Sequence, residues 1–261
     1  MKNSRSLHSI WRASLLLLLS LAGQATFATE WVPAPTPITV VSTGNAGSYA
    51  SMTTVNGNPA IAYQLTAPDN DLVYVRANDA QGNTWGTPVV VQSTGSVGRY
   101  PQLLVVNGNP AIAYRNATGA GLSYIRATDT NGSTWGTPAV IGGPTPTRVA
   151  TGRPAIAYQD NFLSLNYVRA NDADGASWGT PQVLDSSSPN GTGNNASLAV
   201  INGNPAIGYQ NQEGTGSQKY IRALDTTGAT WGAAVVIDAA GAFLTGAEGD
   251  LAEVNGRPAI T

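Results

Sequence analysis

The sequence contains no cysteine and a single histidine, His8, in 261 residues. Lys, Arg, Asp and Glu together make up only 11 %, where about 25 % is usual. Beyond residue 28 no segment carries a ten-residue apolar pattern of period 3.6. Each absence narrows the chemistry. Without thiols there are no disulfides, although a chain of this length can bury a core unstapled. With no thiol and only His8, the commonest general base and the usual zinc and copper ligands are missing from the folded part. No cofactor or metal site is expected. The missing helical period argues against helix almost throughout.

Residues 1–28 read as a secretory signal and not as fold. Lys2, Arg5 and Arg12 make a basic start, Leu15 to Leu21 an apolar stretch, and Ala25 to Ala28 a small-residue exit. The apolar run is shorter than the ~20 residues of a membrane span; a retained anchor helix is the alternative. Cleavage is expected after Ala28, giving an exported protein with no membrane contact after processing. His8 leaves with the signal. The remainder holds ten Lys and Arg against fifteen Asp and Glu, a net charge of −5. Dispersed, weakly acidic charge argues against nucleic acid as a partner.

What the sequence does have is repetition. Gly-(Asn/Arg)-Pro-Ala-Ile-(Ala/Gly)-Tyr starts at Gly57, Gly108, Gly152 and Gly203, with a shortened copy at Gly256. Tyr-(Val/Ile)-Arg-Ala follows at Tyr74, Tyr124, Tyr167 and Tyr220, and Trp-Gly at Trp85, Trp135, Trp178 and Trp231. A period near fifty residues belongs to radial or solenoid architectures. Within one unit, Gln102 to Val106 is a first strand closed by Asn107-Gly108, a strong hairpin signal. Ala111 to Arg115 reads as the second strand, Leu122 to Thr128 as the third and Trp135 to Ile141 as the fourth. The fold class expected is therefore all-β: a β-propeller of four-stranded antiparallel blades, four complete and a fifth incomplete, over residues 29–261. A β-sandwich or parallel β-helix is the rival, but neither explains two different invariant turns per unit.

The third unit is short ahead of Gly152, so its first strand is expected to be brief, within Thr147 to Thr151. Trp31 to Val41 resembles a lone fourth strand, and at the open seam Ile38 to Val41 is expected either to pair directly with the second strand of the last unit or to remain loose. The chain stops inside a second strand at Thr261. Either the sequence is C-terminally incomplete or the ring closes on a defective blade, and self-association through the open edge is expected.

The turn before each tryptophan begins with Asp79, Asp129, Asp172 or Asp225, with Gly three residues on and Thr or Ser just before Trp. These turns resemble the Asp-box of sialidase-like (BNR) propellers, although in that box Gly follows Asp by two positions where here it follows by three. The resemblance implies architecture and not sialidase activity, since the Asp-box lies away from that family's active face. A sialidase needs an arginine triad, a tyrosine–glutamate pair and an acid. Here Arg76, Arg126, Arg169 and Arg222 each hold the same place in their own unit. They are expected to bond Asp three residues on or backbone carbonyls, and the tryptophans to pack between blades. Asp172-Ala173-Asp174-Gly175 could suggest calcium, but the run lacks the EF-hand pattern and reads as a turn.

Loops after strands two and four differ from unit to unit, and in a propeller they share one face. Variable loops on a rigid scaffold are where binding usually sits. Candidate ligand-binding residues on that face are Asp71, Arg99, Tyr100, Arg115, Asp160 and Glu213, accompanied by Asp69, Arg148, Asn161 and Gln212. No catalytic residue is assigned. The function expected is a secreted, non-catalytic module binding a carbohydrate or a cell-surface protein. A sialidase-like glycoside hydrolase drawing its carboxylates from the same loops is the alternative.

Overall fold

The computed structural model describes residues 36–66, 68, 70–118, 121–142, 145–150 (backbone only), 153–212, 216–239 and 249–261. The signal-like residues 1–28, Trp31, Asp69, Glu213 and the Arg148 side chain lie outside this description.

Turn chemistry punctuates the chain into strands. Asn56-Gly57, Asn107-Gly108, Asn202-Gly203 and Asn255-Gly256 all have positive φ at both residues, near 45° for Asn and 80° for Gly. That is the mirror-image turn whose twist suits a two-residue hairpin. Around these turns the chain forms four four-stranded sheets and one two-stranded sheet. The first sheet is β1 (Ser48–Val55), β2 (Asn58–Leu65), β3 (Asp71–Arg76) and β4 (Val89–Gln92). The second is β5 (Arg99–Val106), β6 (Asn109–Asn116), β7 (Gly121–Arg126) and β8 (Ala139–Val140). The third is β9 (Thr145–Ala150), β10 (Ala155–Gln159), β11 (Leu165–Arg169) and β12 (Gln182–Asp185). The fourth is β13 (Thr192–Ile201), β14 (Asn204–Asn211), β15 (Ser217–Arg222) and β16 (Val235–Ala239), followed by β17 (Leu251–Val254) and β18 (Arg257–Ile260). Every pairing is antiparallel between neighbours in sequence, and no helix occurs among the described residues.

The short third unit has a first strand of six residues, against eight, eight and ten in the other full sheets. Two expectations are corrected. Residues 36–42 form no strand; Val40 and Val41 instead pack on Tyr63, Val73 and Val75 of the first sheet. Trp135 and its counterparts make isolated bridges to Ala127, Ala77, Ala170 and Ala223, so the fourth strand starts later than Trp135. The Pro138 ring, lacking an N–H, separates the bridge from β8.

Within residues 39–261, first strands lie side by side in succession: β1 against β5, β5 against β9, β9 against β13, β13 against β17. No contact of that extent joins β17 or β18 back to β1 among the described residues. Core forms between sheets, which explains strands apolar on both sides. Val55, Ala62, Leu72 and Tyr74 of the first sheet bury against Leu103, Ile112, Tyr114 and Ile125 of the second.

Candidate functional site

One end of the sheets carries the turns after first and third strands, and its polar groups are closed. Asp129 Oδ1 accepts the amides of Asn131 and Ser133, while Oδ2 accepts the amide and hydroxyl of Thr134. Asp79, Asp172 and Asp225 repeat the pattern. Partial burial of Asp129 and Asp172 disfavours the charge, but the summed hydrogen bonds outweigh it and hold both pKa values down to about 2. The Asp172 carboxylate is thus engaged by its own backbone. Trp135, Trp178 and Trp231 each donate their indole N–H to the turn glycine's carbonyl. Each also meets a tyrosine of the preceding sheet edge-on, with centroids 5.0–5.3 Å apart. Such pairs add roughly 0.5–1.5 kcal/mol beyond their buried area. The same tyrosines, Tyr74, Tyr124 and Tyr167, donate their hydroxyls to carbonyls of the next sheet's turn.

The repeated arginines also serve the fold. Arg76, Arg126 and Arg222 donate to carbonyls at the end of their own sheet's first strand, and Arg169 donates to the Thr226 carbonyl. The ion pair of Arg126 is with Asp174 of the next sheet, at 3.3 Å. It is not with Asp129, three residues on, because the carboxylate of Asp129 already serves its own turn.

The other end differs from sheet to sheet. At β1, Tyr49 and Ala50 oppose Tyr63 alone, between the pairs Ser48–Gln64 and Ser51–Ala62. At β5, Tyr100 and Pro101 oppose Tyr114, between Arg99–Arg115 and Gln102–Ala113. These are β-bulges, which re-aim a side chain. Tyr49 and Tyr100 have φ of 53° and 51°, a left-handed conformation that costs a non-glycine residue about 1–2 kcal/mol. Asn195 occupies the equivalent bulge of β13 with φ 48°. Strain of this kind collects at ligand-binding surfaces.

Because β1 and β5 are adjacent, the two bulges face each other. Leu103 N–H donates to the Ser51 hydroxyl across the joint. The Tyr49 and Tyr100 rings stand 4.4 Å apart at 51°, and remain 44 % and 39 % exposed. The tilted contact leaves an open aromatic surface. Arg99 and Arg115, directly paired across the strands, border it. The Tyr100 pKa is raised, first by the Tyr49 hydroxyl and then by partial burial, with Arg115 and Arg99 pulling the other way. Both guanidiniums therefore lie within electrostatic reach of the platform.

Three of the sequence-derived candidates, Arg99, Tyr100 and Arg115, come together here. Asp71 begins β3, half-buried, and its chain neighbours run beside the approach to Arg99. Asn70 O accepts Val97 N–H, and a Cβ on Gly98 would lie 2.8 Å from the Leu72 Cα. Asp160 is engaged elsewhere: its Oδ1 accepts the amides of Phe162 and Ser164, shaping its own loop. Glu213 falls outside the described residues. Tyr49 was missed by sequence reasoning. Its signal was the parallel between Gly47-Ser48-Tyr49, Gly98-Arg99-Tyr100 and Gly193-Asn194-Asn195.

A second polar cluster joins the third and fourth sheets. Lys219 Nζ pairs with Asp185 Oδ2 at 3.1 Å, and Tyr209 donates its hydroxyl to the same oxygen at 2.6 Å. Burial opposes the Asp185 charge, yet the Tyr209, Ser187 and Lys219 hydrogen bonds prevail and lower its pKa; burial foremost raises that of Tyr209. Half-buried and mutually satisfied, this cluster holds sheets together.

No family model matches the sequence, and no curated protein does. Solved structures do match. A protein of unknown function from Dyadobacter fermentans aligns with a TM-score of 0.58 at 18 % identity, over 81 % of this chain and 72 % of that one. A Hadza microbial sialidase gives 0.52 at 18 %, over 72 % of this chain and 46 % of that one. An arabinanase from Bacillus subtilis gives 0.51 at 14 %, over 82 % and 92 %. At these identities the likeness is one of fold.

Proposed function

We propose that this chain is a carbohydrate-binding β-propeller module whose ligand rests on the Tyr49–Tyr100 platform. The observation that carries the reading is the pair of exposed tyrosines, in contact with their rings tilted at 51°, held at strained bulges of adjacent first strands. Aromatic faces bind the apolar side of a sugar ring while flanking polar groups orient its hydroxyls. That two fold neighbours are named as a sialidase and an arabinanase supports a carbohydrate ligand. The repeated Asp turns support reading the architecture as Asp-box-like, and the succession of first strands supports a radial arrangement of blades.

The reading is of binding without turnover, because Asp160 is engaged in its own loop and the singular cluster holds arginines and tyrosines. A glycan array tests it. Tyr100→Ala and Tyr49→Ala should each weaken binding about tenfold, equivalent to about 1.4 kcal/mol. Sugar release from chromogenic glycosides by the unmutated chain would instead establish the hydrolase alternative. Export belongs to the same proposal, and N-terminal sequencing of the secreted product should begin at Thr29.

Self-association end to end is also part of this reading. Met52 is 69 % exposed, whereas the equivalent Leu103 and Leu198 are 7 % and 4 %. At the far end Val254 is 53 % exposed, whereas Val55 and Val106 are fully buried. The two faces are the complementary halves of the joint already made between successive sheets, so the occupant proposed is a second copy. Sedimentation of Met52→Lys against the parent tests this, with the variant expected to be monomeric.

A further inference from the structure

We infer that the saccharide held on the tyrosine platform is anionic, its carboxylate or sulfate received by Arg99 and Arg115. This rests on the proposed saccharide reading of the same surface. The argument begins with the repeat. The position paired across the first two strands is Ser48–Gln64 in the first sheet, Thr145–Gln159 in the third and Asn194–Gln210 in the fourth. In each, the glutamine side chain is engaged. Gln64 donates to Val97 O, Gln159 to Thr192 O, and Gln210 accepts from Asn194.

Only the second sheet places two cations there, Arg99 opposite Arg115. Like charges directly opposite one another destabilise a sheet. Neither guanidinium makes an ion pair with a described residue, and the Arg99 Nε is buried with no hydrogen-bond partner. An unmet buried donor is costly. A single unit of four has thus given up a neutral, closed arrangement for an unfavourable, open one. It has done so beside the exposed Tyr100 ring. An oxyanion supplies what this arrangement lacks, since guanidinium groups receive carboxylate or sulfate through paired, charge-assisted hydrogen bonds. The tyrosine rings would carry the sugar and the arginines its charge.

Calorimetric titration of the full chain with tetragalacturonate and with its fully methyl-esterified form isolates the charge, because the rings are unchanged. A sulfated galactan tetrasaccharide examines the second anion. The expected result is binding of at least one anionic form about tenfold or more tighter than the ester, weakening with added salt. Arg115→Gln installs the residue that the other three sheets carry, so it is compatible with folding. It should remove most of the discrimination, bringing the ratio of acid to ester affinity close to one. Ester and acid binding equally would overturn the inference while leaving the saccharide reading intact. So would binding of a neutral array glycan with none of these three probes bound. Absence of any saccharide binding would overturn both.

Discussion

The two ends of these sheets are built from the same strands and follow opposite rules. At the end bearing the Asn-Gly and Asp turns, the Asp carboxylates and the indole N–H groups are bonded within their own turns, and the hydroxyls of Tyr74, Tyr124 and Tyr167 bond the next sheet. At the other end, two tyrosines sit exposed in a strained backbone and two arginines oppose each other. The first end recurs because it closes every joint. The second varies because each joint there is closed differently: the Lys219–Asp185–Tyr209 cluster joins the third and fourth sheets, whereas the first two meet at exposed tyrosines. A repeat thus closes one end of every strand in the same way and leaves the other to differ from sheet to sheet.

The sharpest way to break the closed end is at its glycines. A Cβ on Gly132, at φ 78°, would lie 2.5 Å from the Tyr74 ring of the preceding sheet. Gly132→Ala should cost about 3 kcal/mol in chemical denaturation, combining left-handed strain with overpacking. Gly82 occupies the same turn in the first sheet, where the nearest atom is 3.6 Å away. There Gly82→Ala should cost only about 1 kcal/mol, from backbone strain alone. Equal losses at both sites would show that the tyrosine contact is unimportant.

The Asp turns come next. Asp129→Ala removes the acceptor for three amides and a hydroxyl, and should cost about 1–2 kcal/mol in this largely solvated setting. Their pH dependence has a definite sign. Asp129 and Asp172 titrate near 2 in the folded chain against an ordinary 3.8. Their contribution is complete above about pH 5 and is lost as pH falls through about 4 towards 2. A melting temperature that stays level down to pH 2 would contradict this account, and Asp129→Asn should flatten the decline.

The smallest effect on folding is expected where the effect on binding is largest. Tyr100→Gly relieves a left-handed residue but forfeits a partly exposed ring, so stability should change by less than about 1 kcal/mol. Saccharide affinity should nevertheless fall about tenfold, as for Tyr100→Ala. Were Tyr100→Gly to unfold the chain, the platform would belong to the scaffold and the contrast between the two ends would fail.

The repeat made most of the sheet plan legible. Asn-Gly at four hairpins, Tyr-(Val/Ile)-Arg-Ala in third strands and the Asp turns before Trp all appear where local chemistry demanded them. The segment at Ile38 to Val41 was misread because its apolar, β-branched residues suit a strand equally well as a strap lying across one. Pairing depends on a partner edge, which composition does not specify. Arg99, Tyr100 and Arg115 were legible as departures from a pattern, whereas Tyr49 went unnoticed because only its neighbour across the joint gives it meaning.

By itself, the sequence determined the period, the turns and which positions of each strand are apolar, because these follow from local backbone preference and from alternation along a strand. Tertiary structure alone decided that β1 and β5 lie side by side, and so brought two tyrosines fifty-one residues apart to within 4.4 Å. It also decided that a bulge in each strand would turn those rings outward beside two guanidiniums that pair with no carboxylate among the described residues. Packing between sheets places such groups, and no local preference encodes that meeting.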